Sequence, residues 1–150
     1  MEPTPDAGRP SEGHLDRRTC LVLLEAKEVG RIVLPGAEPF IAPLNYILVD
    51  EQIVFRTAPT AHAADHIGET VLFEIDTVDL GHEAGWSIVV HGVLDDLTDQ
   101  AASDPRMDRL QPWPPGHKAR WLGIRIDEIS GRWLQGRVQP STNIDERGYL

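Results

Sequence analysis

The sequence has little cysteine, few basic residues and no long apolar run. Its single cysteine, Cys20, excludes an intrachain disulfide framework and fits a reducing compartment. No apolar stretch approaches the ~20 residues that a helix needs to cross a bilayer, and the N-terminus lacks the apolar core of a signal peptide. These absences predict a soluble, cytoplasmic protein that is not embedded in a membrane.

The shortage of basic residues limits the partners that the chain can take. Lys and Arg number 14 against 24 Asp and Glu, which gives a formal net charge of -10. Such a chain repels nucleic acid and anionic membrane surfaces, so neither is expected as a partner. A bound anion would need a local group of donors that acts against the overall negative field.

Several well-known site motifs are also missing. No GxGxxG or Walker pattern occurs, which excludes a Rossmann or P-loop nucleotide site as far as sequence allows. The stretch "GWSIV" lacks the second glycine of a nucleophile elbow, so Ser87 is not expected to be a catalytic serine. His62 and His66 in "HAADH" have the i, i+4 spacing of a zinc pair, but Ala63 stands where a metalloprotease has glutamate. Two solvated helix histidines, and no metal site, are the simpler interpretation.

The chain is organised as one domain with two tails. At 150 residues it is long enough for a single well-formed core. Residues 1–14 are rich in Pro, Gly and Glu and are expected to form a disordered N-terminal tail. Residues 15–137 are expected to form the folded domain, and residues 138–150 a polar C-terminal tail.

Two or three short helices are predicted. One is expected after the tail, with Gly30 ending it. A second is expected over Ala61–Gly68, with Thr60 as its N-cap. A third is expected over Asp99–Leu110, where Pro105 either starts the helix or interrupts it.

Six or seven strands at short spacing account for most of the remaining chain. They are expected in "GRIVL", "EPFIAPLNYILV", "IVFRT", "TVLFEID" and "WSIVVHGVLDDL", and in a hairpin "ARWLGIRIDEISGRWLQG" turned at Ser130–Gly131. Long crossover helices are missing, which disfavours a parallel α/β sheet. The pattern therefore predicts a mainly β protein, an antiparallel barrel with helical caps.

The stretch "NYILVDEQIVFRTAPTAHAADH", residues 45–66, carries more polar chemistry than a hairpin requires. Arg56 ends a strand, and its planar fork of donors suits a phosphate. Thr57 and Thr60 add hydroxyl donors, and the backbone N–H groups at the start of the following helix point to the same place. These groups form a candidate phosphate-monoester site. The spacing is equally open to a simpler interpretation, in which Arg56 pairs with a surface carboxylate and Thr60 only caps the helix.

The ordered series "VGRIVL", "PFIAPLNYILVDEQIVFRTAPTAH", "VLFEID" and "GWSIVVHGVLDDL", closed by "PWPPGHKARWLGIRIDEISGRWL", supports a family assignment. It resembles the pyridoxamine 5'-phosphate oxidase-like, FMN-binding split β-barrel superfamily, and within it a small bacterial branch. The likeness extends from about Leu15 to Leu134. It implies an antiparallel split β-barrel over residues 15–137. It also implies a homodimer that binds two FMN molecules in clefts at the subunit interface.

The resemblance implies which residues of the "NYILVDEQIVFRT" stretch contact the cofactor. Asn45 and Tyr46 would lie on the strand that runs beside the isoalloxazine ring. Arg56 and Thr57 match the strand end that reaches the flavin phosphate.

Further cofactor contacts are implied elsewhere in the chain. Thr60 and His62 stand where relatives have Ser or Thr and then Lys. Ser87 stands at the position of a flavin-contacting Gln, with Trp86 at the neighbouring Arg position. Trp113 belongs to a loop that in such dimers can approach the flavin of the partner subunit.

Two departures from the family pattern shape the functional prediction. His62 replaces a lysine, so a permanent charge becomes one that titrates at about pH 6.5 in a free histidine. Phosphate affinity is therefore expected to depend on pH. The C-terminal "GRVQPSTNIDERGYL" lacks the Arg and His groups that hold pyridoxal phosphate in the true oxidases, so vitamin B6 oxidation is not expected.

The leading functional prediction is an FMN-dependent oxidoreductase that reduces a small planar acceptor, of the flavin reductase or nitroreductase type. The cofactor would carry the chemistry, and no residue stands out as an essential acid or base. A non-catalytic FMN carrier or redox sensor is one alternative. A deazaflavin-dependent reductase is another, although its anionic cofactor tail suits an acidic chain poorly. A barrel without any cofactor is the remaining one.

Overall fold

Antiparallel β-sheet makes up most of the computed structural model, which describes residues 11–113, 116 and 118–136. The mainly β fold predicted from the sequence is confirmed. In chain order the elements are β1 (Ser11–Leu15), α1 (Arg17–Ala26), β2 (Val29–Leu34), β3 (Phe40–Asn45), β4 (Ile47–Val49), β5 (Gln52–Thr57), a first 3-10 helix (His62–His66), β6 (Thr70–Asp79), β7 (Ala84–Asp96), α2 (Thr98–Ala101), a second 3-10 helix (Pro105–Arg109) and β8 (Arg120–Gln135).

All eight strands belong to one curled sheet. Seven of them follow the order β3-β2-β6-β7-β8-β5-β4, and β1 pairs with β8. The two ends of this order, β3 and β4, are consecutive in the chain and are separated only by Tyr46. This is the arrangement of a split barrel, in which the sheet curls round until its two edge strands meet at one residue.

The longest strand, β8, connects the two halves of the barrel. It pairs with β7 from Leu122 to Gln135, with β5 over Arg120–Arg125 and with β1 over Gly131–Gln135. β5 and β1 therefore lie one after the other along the same edge of β8. Positions on β5 and β1 are consequently far apart, although both neighbour one strand.

Strand β5 is packed on both faces, which fixes the position of its end. Ile53 and Phe55 point into the main core, inside the curl of the sheet. Val54 points the other way, into a second cluster under α2 and the second 3-10 helix. Each buried side chain of this size contributes about 1.5–3 kcal/mol relative to exposure. The residues that follow, Arg56 and Thr57, are therefore presented by a rigid strand.

Helix α1 closes one side of the main core. The Asp16 carboxylate accepts a hydrogen bond from the Thr19 backbone N–H at 2.7 Å, and this bond lowers the pKa of Asp16. Cys20 and Leu24 are completely buried against the sheet. The predicted helix end at Gly30 is wrong, because α1 ends at Ala26 and Gly30 lies in β2. A side chain at Gly30 would collide with the Phe73 ring, so close packing of the sheet requires a glycine there.

The predicted hairpin at Ser130–Gly131 is also wrong. Strand β8 continues through both residues, which pair with Val89 and Ile88 of β7. A Cβ at Gly131 would lie 2.6 Å from the Cys20 sulfur. The glycine thus allows α1 to approach the sheet closely and does not form a turn.

Pro105 divides the helix that was predicted over Asp99–Leu110. It starts the second 3-10 helix, whose first turn is capped by the Asp104 carboxylate, an acceptor for the Arg106 backbone N–H at 3.0 Å. The first part of the segment is the short helix α2. Proline has no N–H and cannot continue a preceding helix, which explains the break.

The N-terminal strand moves the predicted domain boundary. Residues 11–14, expected to be part of the disordered tail, lie in β1, where Glu12 forms an ion pair with Arg132 at 2.8 Å. Pairing with β8 satisfies the backbone of a segment whose composition suggested disorder. The rest of the predicted tails, residues 1–10 and 138–150, lies outside the described residues. Within the described part, no helix is long and apolar enough to cross a membrane.

Candidate functional site

A small pocket opens at the end of β5, between β3 and the first 3-10 helix. Its volume is about 230 Å³, and apolar side chains of β2, β3 and β5, such as Leu34 and Phe40, form its wall. An apolar wall with a few convergent polar groups is typical of a small-molecule site. The polar lining residues are Asn45, Arg56, Thr57, His62 and Lys118.

Arg56 is held in place without using its full set of donors. Its Nε–H donates to the Lys118 carbonyl at 3.0 Å, and its guanidinium lies over the Trp121 ring, 4.8 Å from the ring centroid. The two terminal nitrogens make no hydrogen bond or ion pair within the described ranges. The ion pair that a surface role for Arg56 would require is thus not formed with any described residue. The oriented terminal N–H groups are suited to bind an anion.

Thr57 lines the same pocket, whereas Thr60 does not. The predicted capping role of Thr60 is wrong, because Ala61 occupies the N-cap position and no side chain caps the helix. The Ala61 N–H donates to the Ala58 carbonyl at 3.0 Å, so a tight turn delays the start of the helix. This 3-10 helix has five residues, shorter than the α-helix predicted there.

His62 lies at the rim of the pocket. Its side chain is 55% exposed, and its Nδ1 lies 3.8 Å from the Asp65 carboxylate. The ring packs edge-on against Phe40 and His66, with centroid separations of 5.3 Å in both cases. Across residues 11–113, 116 and 118–136 no group of three or more His, Cys, Asp or Glu could hold a metal ion.

Lys118 is a pocket residue that the sequence did not reveal. It lies 62 positions from Arg56 in the chain. The pairing of β5 with β8 places Thr57 opposite Arg120, so the residues before Arg120 extend beside the end of β5. Only the register of this strand pair could have predicted the contact.

Asn45 connects the pocket to the loop that carries Trp113. Its side-chain amide donates to the Gln111 carbonyl at 2.8 Å, and its amide oxygen accepts from the Trp113 backbone N–H at 3.3 Å. The Trp113 ring itself is 67% exposed. The structure therefore brings Trp113 next to the pocket and leaves its ring uncovered.

Tyr46, predicted to lie beside the ligand, has its side chain in the core. Only 3% of the residue is exposed, its hydroxyl donates to the Leu24 carbonyl, and its ring packs edge-on against Phe73. This burial raises the pKa of Tyr46 above its usual range. Tyr46 lies between β3 and β4 and is not among the residues that line the pocket with Asn45.

Trp86 and Ser87 are not among the residues that line the pocket. Trp86 pairs with Trp133 of β8, whereas Arg56 pairs with Trp121 of the same strand. Twelve residues of the curled strand β8 separate those two positions. Across the sheet, Ser87 on β7 and the pocket residue Asn45 on β3 are separated by β6 and β2.

An exposed apolar surface surrounds Trp86. It consists of Val78, Leu80 and Leu134, whose exposed fractions are 66%, 86% and 50%, and it borders a recess of about 560 Å³. We refer to these three residues as the β6–β7 surface. Ser87 points to the opposite face of the sheet from Trp86. Apolar side chains grouped in this way make this face a candidate contact surface.

Comparison with known proteins assigns the family. The family model described as pyridoxamine 5'-phosphate oxidase matches residues 16–133. The chain belongs to the pyridoxamine 5'-phosphate oxidase-like family. The family resemblance of the sequence is thereby confirmed.

Solved structures of related proteins have the same fold as this chain. A FAD binding protein from Mycobacterium smegmatis is 30% identical, with a TM-score of 0.68 and coverage of 81% of this chain and 97% of that one. A putative pyridoxamine 5'-phosphate oxidase from Corynebacterium glutamicum is 31% identical, with a TM-score of 0.66 and coverage of 83% and 94%. By sequence, an uncharacterised protein of Mycobacterium tuberculosis is also similar: it is 34% identical over 108 residues, covering 66% of this chain and 70% of its own.

The core position of Tyr46 leads to a prediction about stability. Tyr46→Phe should lower the free energy of unfolding by about 1–3 kcal/mol, because the buried Leu24 carbonyl loses its donor. Urea denaturation of the two proteins measures this difference. An unchanged free energy of unfolding would contradict the structural role of the hydroxyl.

Proposed function

We propose that this protein binds FMN through the pocket at the end of β5. The observation that carries the proposal is the guanidinium of Arg56, which is held through its Nε–H and lines a pocket together with Thr57. In a chain of net charge -10, such a local group of donors is suited to a phosphate monoester. The FAD binding protein that is 30% identical to this chain supports a flavin as the ligand.

The pocket is large enough for only part of a flavin. Its volume of about 230 Å³ lies below the ~300–1,000 Å³ of sites that enclose a whole small molecule. The phosphate and the adjoining chain would occupy the pocket, with the apolar wall excluding water beside them. The isoalloxazine ring would need a further surface.

A twofold homodimer would provide that surface. Trp86 and Ser87 do not line the pocket at the phosphate end, and in this proposal they contact the flavin from a second subunit. The β6–β7 surface offers exposed apolar side chains for such a contact. Twofold symmetry would make two equivalent sites, each completed by both chains.

The activity that we propose is the reduction of a small planar acceptor. A bound flavin supplies hydride transfer. The chain would orient it: Arg56 and Thr57 hold the phosphate, and Asn45 fixes the backbone of the loop beside the ring. The open position of the Trp113 ring leaves it available to cover a planar molecule.

Three other assignments compete with this proposal. FAD in place of FMN is favoured by the Mycobacterium smegmatis relative. A non-catalytic carrier or redox sensor would use the same pocket without turnover. A deazaflavin with a polyglutamate tail would need a basic groove, and the net charge of -10 disfavours it.

A visible absorption spectrum of protein purified after flavin supplementation tests the proposal. A bound flavin spectrum, followed by steady oxidation of a nicotinamide donor in the presence of an acceptor, is the expected result. A flavin spectrum without turnover would favour the carrier. Colourless protein that binds no flavin on titration would contradict the proposed function.

His62 at the rim predicts a pH-dependent affinity. The imidazole is positively charged at acidic pH and neutral at alkaline pH, so its attraction to the phosphate is lost as pH rises. The phosphate gains charge above its second pKa of about 6, which opposes this trend. His62→Lys keeps the charge at all these pH values. The variant should bind FMN more tightly than the parent at about pH 8 and equally at about pH 5.5.

Isothermal titration at the two pH values measures this difference. The matched control is His91→Lys, which makes the same replacement at an exposed position in the middle of β7. That variant should follow the parent at both pH values. Identical pH profiles for His62→Lys and the parent would place His62 outside the site.

A further inference from the structure

We infer that Lys118 is the second permanent cation of the phosphate pocket and binds the phosphate together with Arg56. The inference rests on the proposed function and adds a binding residue to the same site. The chain has only two lysines, Lys27 and Lys118, and one of them lies in this pocket. Its position in an otherwise acidic protein is the starting observation.

The backbone of Lys118 already takes part in the site. Its carbonyl accepts the Nε–H of Arg56 at 3.0 Å, and the terminal guanidinium nitrogens have no hydrogen-bond partner among the described residues. The contact also fixes Lys118 itself beside the end of β5. This bond uses the Arg56 Nε–H and the Lys118 carbonyl. It uses neither the Lys118 ammonium nor the terminal guanidinium groups of Arg56.

The ammonium of Lys118 is not neutralised by any described residue. No carboxylate among these residues lies within 4 Å of it, whereas Arg31, Arg106, Arg120 and Arg132 all have such partners. Since Arg56 and Lys118 line one pocket, a phosphate bound there would be attracted by both charges.

Lys118 also differs from His62 in how its charge depends on pH. The charged groups near the His62 ring are Asp65, at 3.8 Å, and His66, whose ring is in edge-on contact with it; Arg56 and Lys118 line the same pocket. A lysine keeps its charge throughout the neutral range, whereas an imidazole does not. The pair Arg56 and Lys118 is therefore expected to retain phosphate binding at alkaline pH, where a free imidazole carries no charge.

The test is Lys118→Met, which removes the charge but keeps the carbonyl that orients Arg56. At about pH 8 we expect FMN affinity to fall by roughly tenfold, a loss typical of one charge-assisted contact, with riboflavin affinity unchanged. Lys118→Arg should restore most of the FMN affinity. Arg125→Gln, which removes one positive charge from an exposed site on β8, should bind both ligands as the parent does.

Either of two results would overturn the inference. One is FMN affinity in Lys118→Met equal to that of the parent. The other is an equal loss for FMN and riboflavin, because the residue would then shape the pocket without binding the phosphate. If the parent protein binds no flavin, the proposed function fails, and inorganic phosphate becomes the probe. Phosphate should then raise the unfolding temperature of the parent more than that of Lys118→Met. An equal increase in both proteins would overturn the inference about Lys118, independently of the proposed flavin.

Discussion

Arg56→Ala is expected to weaken FMN binding by roughly tenfold to a hundredfold. The guanidinium provides charge-assisted hydrogen bonds to the phosphate, and the loss of such contacts costs about 1.5–3 kcal/mol. Riboflavin has no phosphate, so its affinity should hardly change. Fluorescence titration of the parent and the variant with both ligands measures the two effects.

The controls for this prediction separate binding from folding. Arg56 also contacts the Lys118 carbonyl and the Trp121 ring, so the thermal unfolding of the variant must be recorded beside its affinity. Arg125→Ala removes the same charge from an exposed position on β8 and should leave FMN affinity unchanged. If Arg56→Ala weakens FMN and riboflavin equally, Arg56 supports the fold of the pocket and not the phosphate.

The double change Leu80→Asp and Leu134→Asp is expected to produce a monomer that no longer binds flavin. Both leucines belong to the exposed β6–β7 surface. In a dimer each buried leucine contributes about 1.5–3 kcal/mol, and each aspartate would have to lose its hydration without a partner. The molecular mass from light scattering at micromolar concentration and the flavin affinity from titration should fall together, because the site would be completed across the interface.

Val22→Asp is the matched control for the dimer surface. Val22 is an apolar residue on α1 with 60% exposure, away from the β6–β7 surface. This variant should remain dimeric and bind flavin as the parent does. A parent protein that is monomeric, or a double variant that stays dimeric with full flavin affinity, would contradict a site completed through this surface.

The local part of the pocket was predictable from the sequence. Arg56 and Thr57 end a strand and are followed by a turn, so their proximity depends on neighbouring positions only. His62 is six residues from Arg56 and lies at the same pocket. The mainly β architecture was likewise predictable, because short strand patterns recur without long crossover helices.

The sequence did not reveal where distant segments meet. It did not place the Tyr46 side chain in the core, because tertiary packing decides which side chains are buried. Gly131 follows a serine and suggested a turn, yet its contact with Cys20 of α1 shows a packing requirement. Lys118 became visible only through the register of β5 with β8.

The distance between the two predicted halves of the site was equally hidden. The sequence suggested that Ser87 and Arg56 contact one flavin, without saying in which subunit. The structure shows that β7 and β5 pair with separate parts of β8 and that neither Trp86 nor Ser87 lines the pocket. We propose the shared site on that ground, and the flavin contacts of all nine residues stay predictions.

Isothermal titration of the parent protein with FMN and with riboflavin tests the central claim most directly. A phosphate held by the pocket predicts that FMN binds roughly tenfold to a hundredfold more tightly than riboflavin, since the two ligands differ only in the phosphate. Equal affinities for the two ligands, or no binding of either, would contradict a flavin held through its phosphate at Arg56.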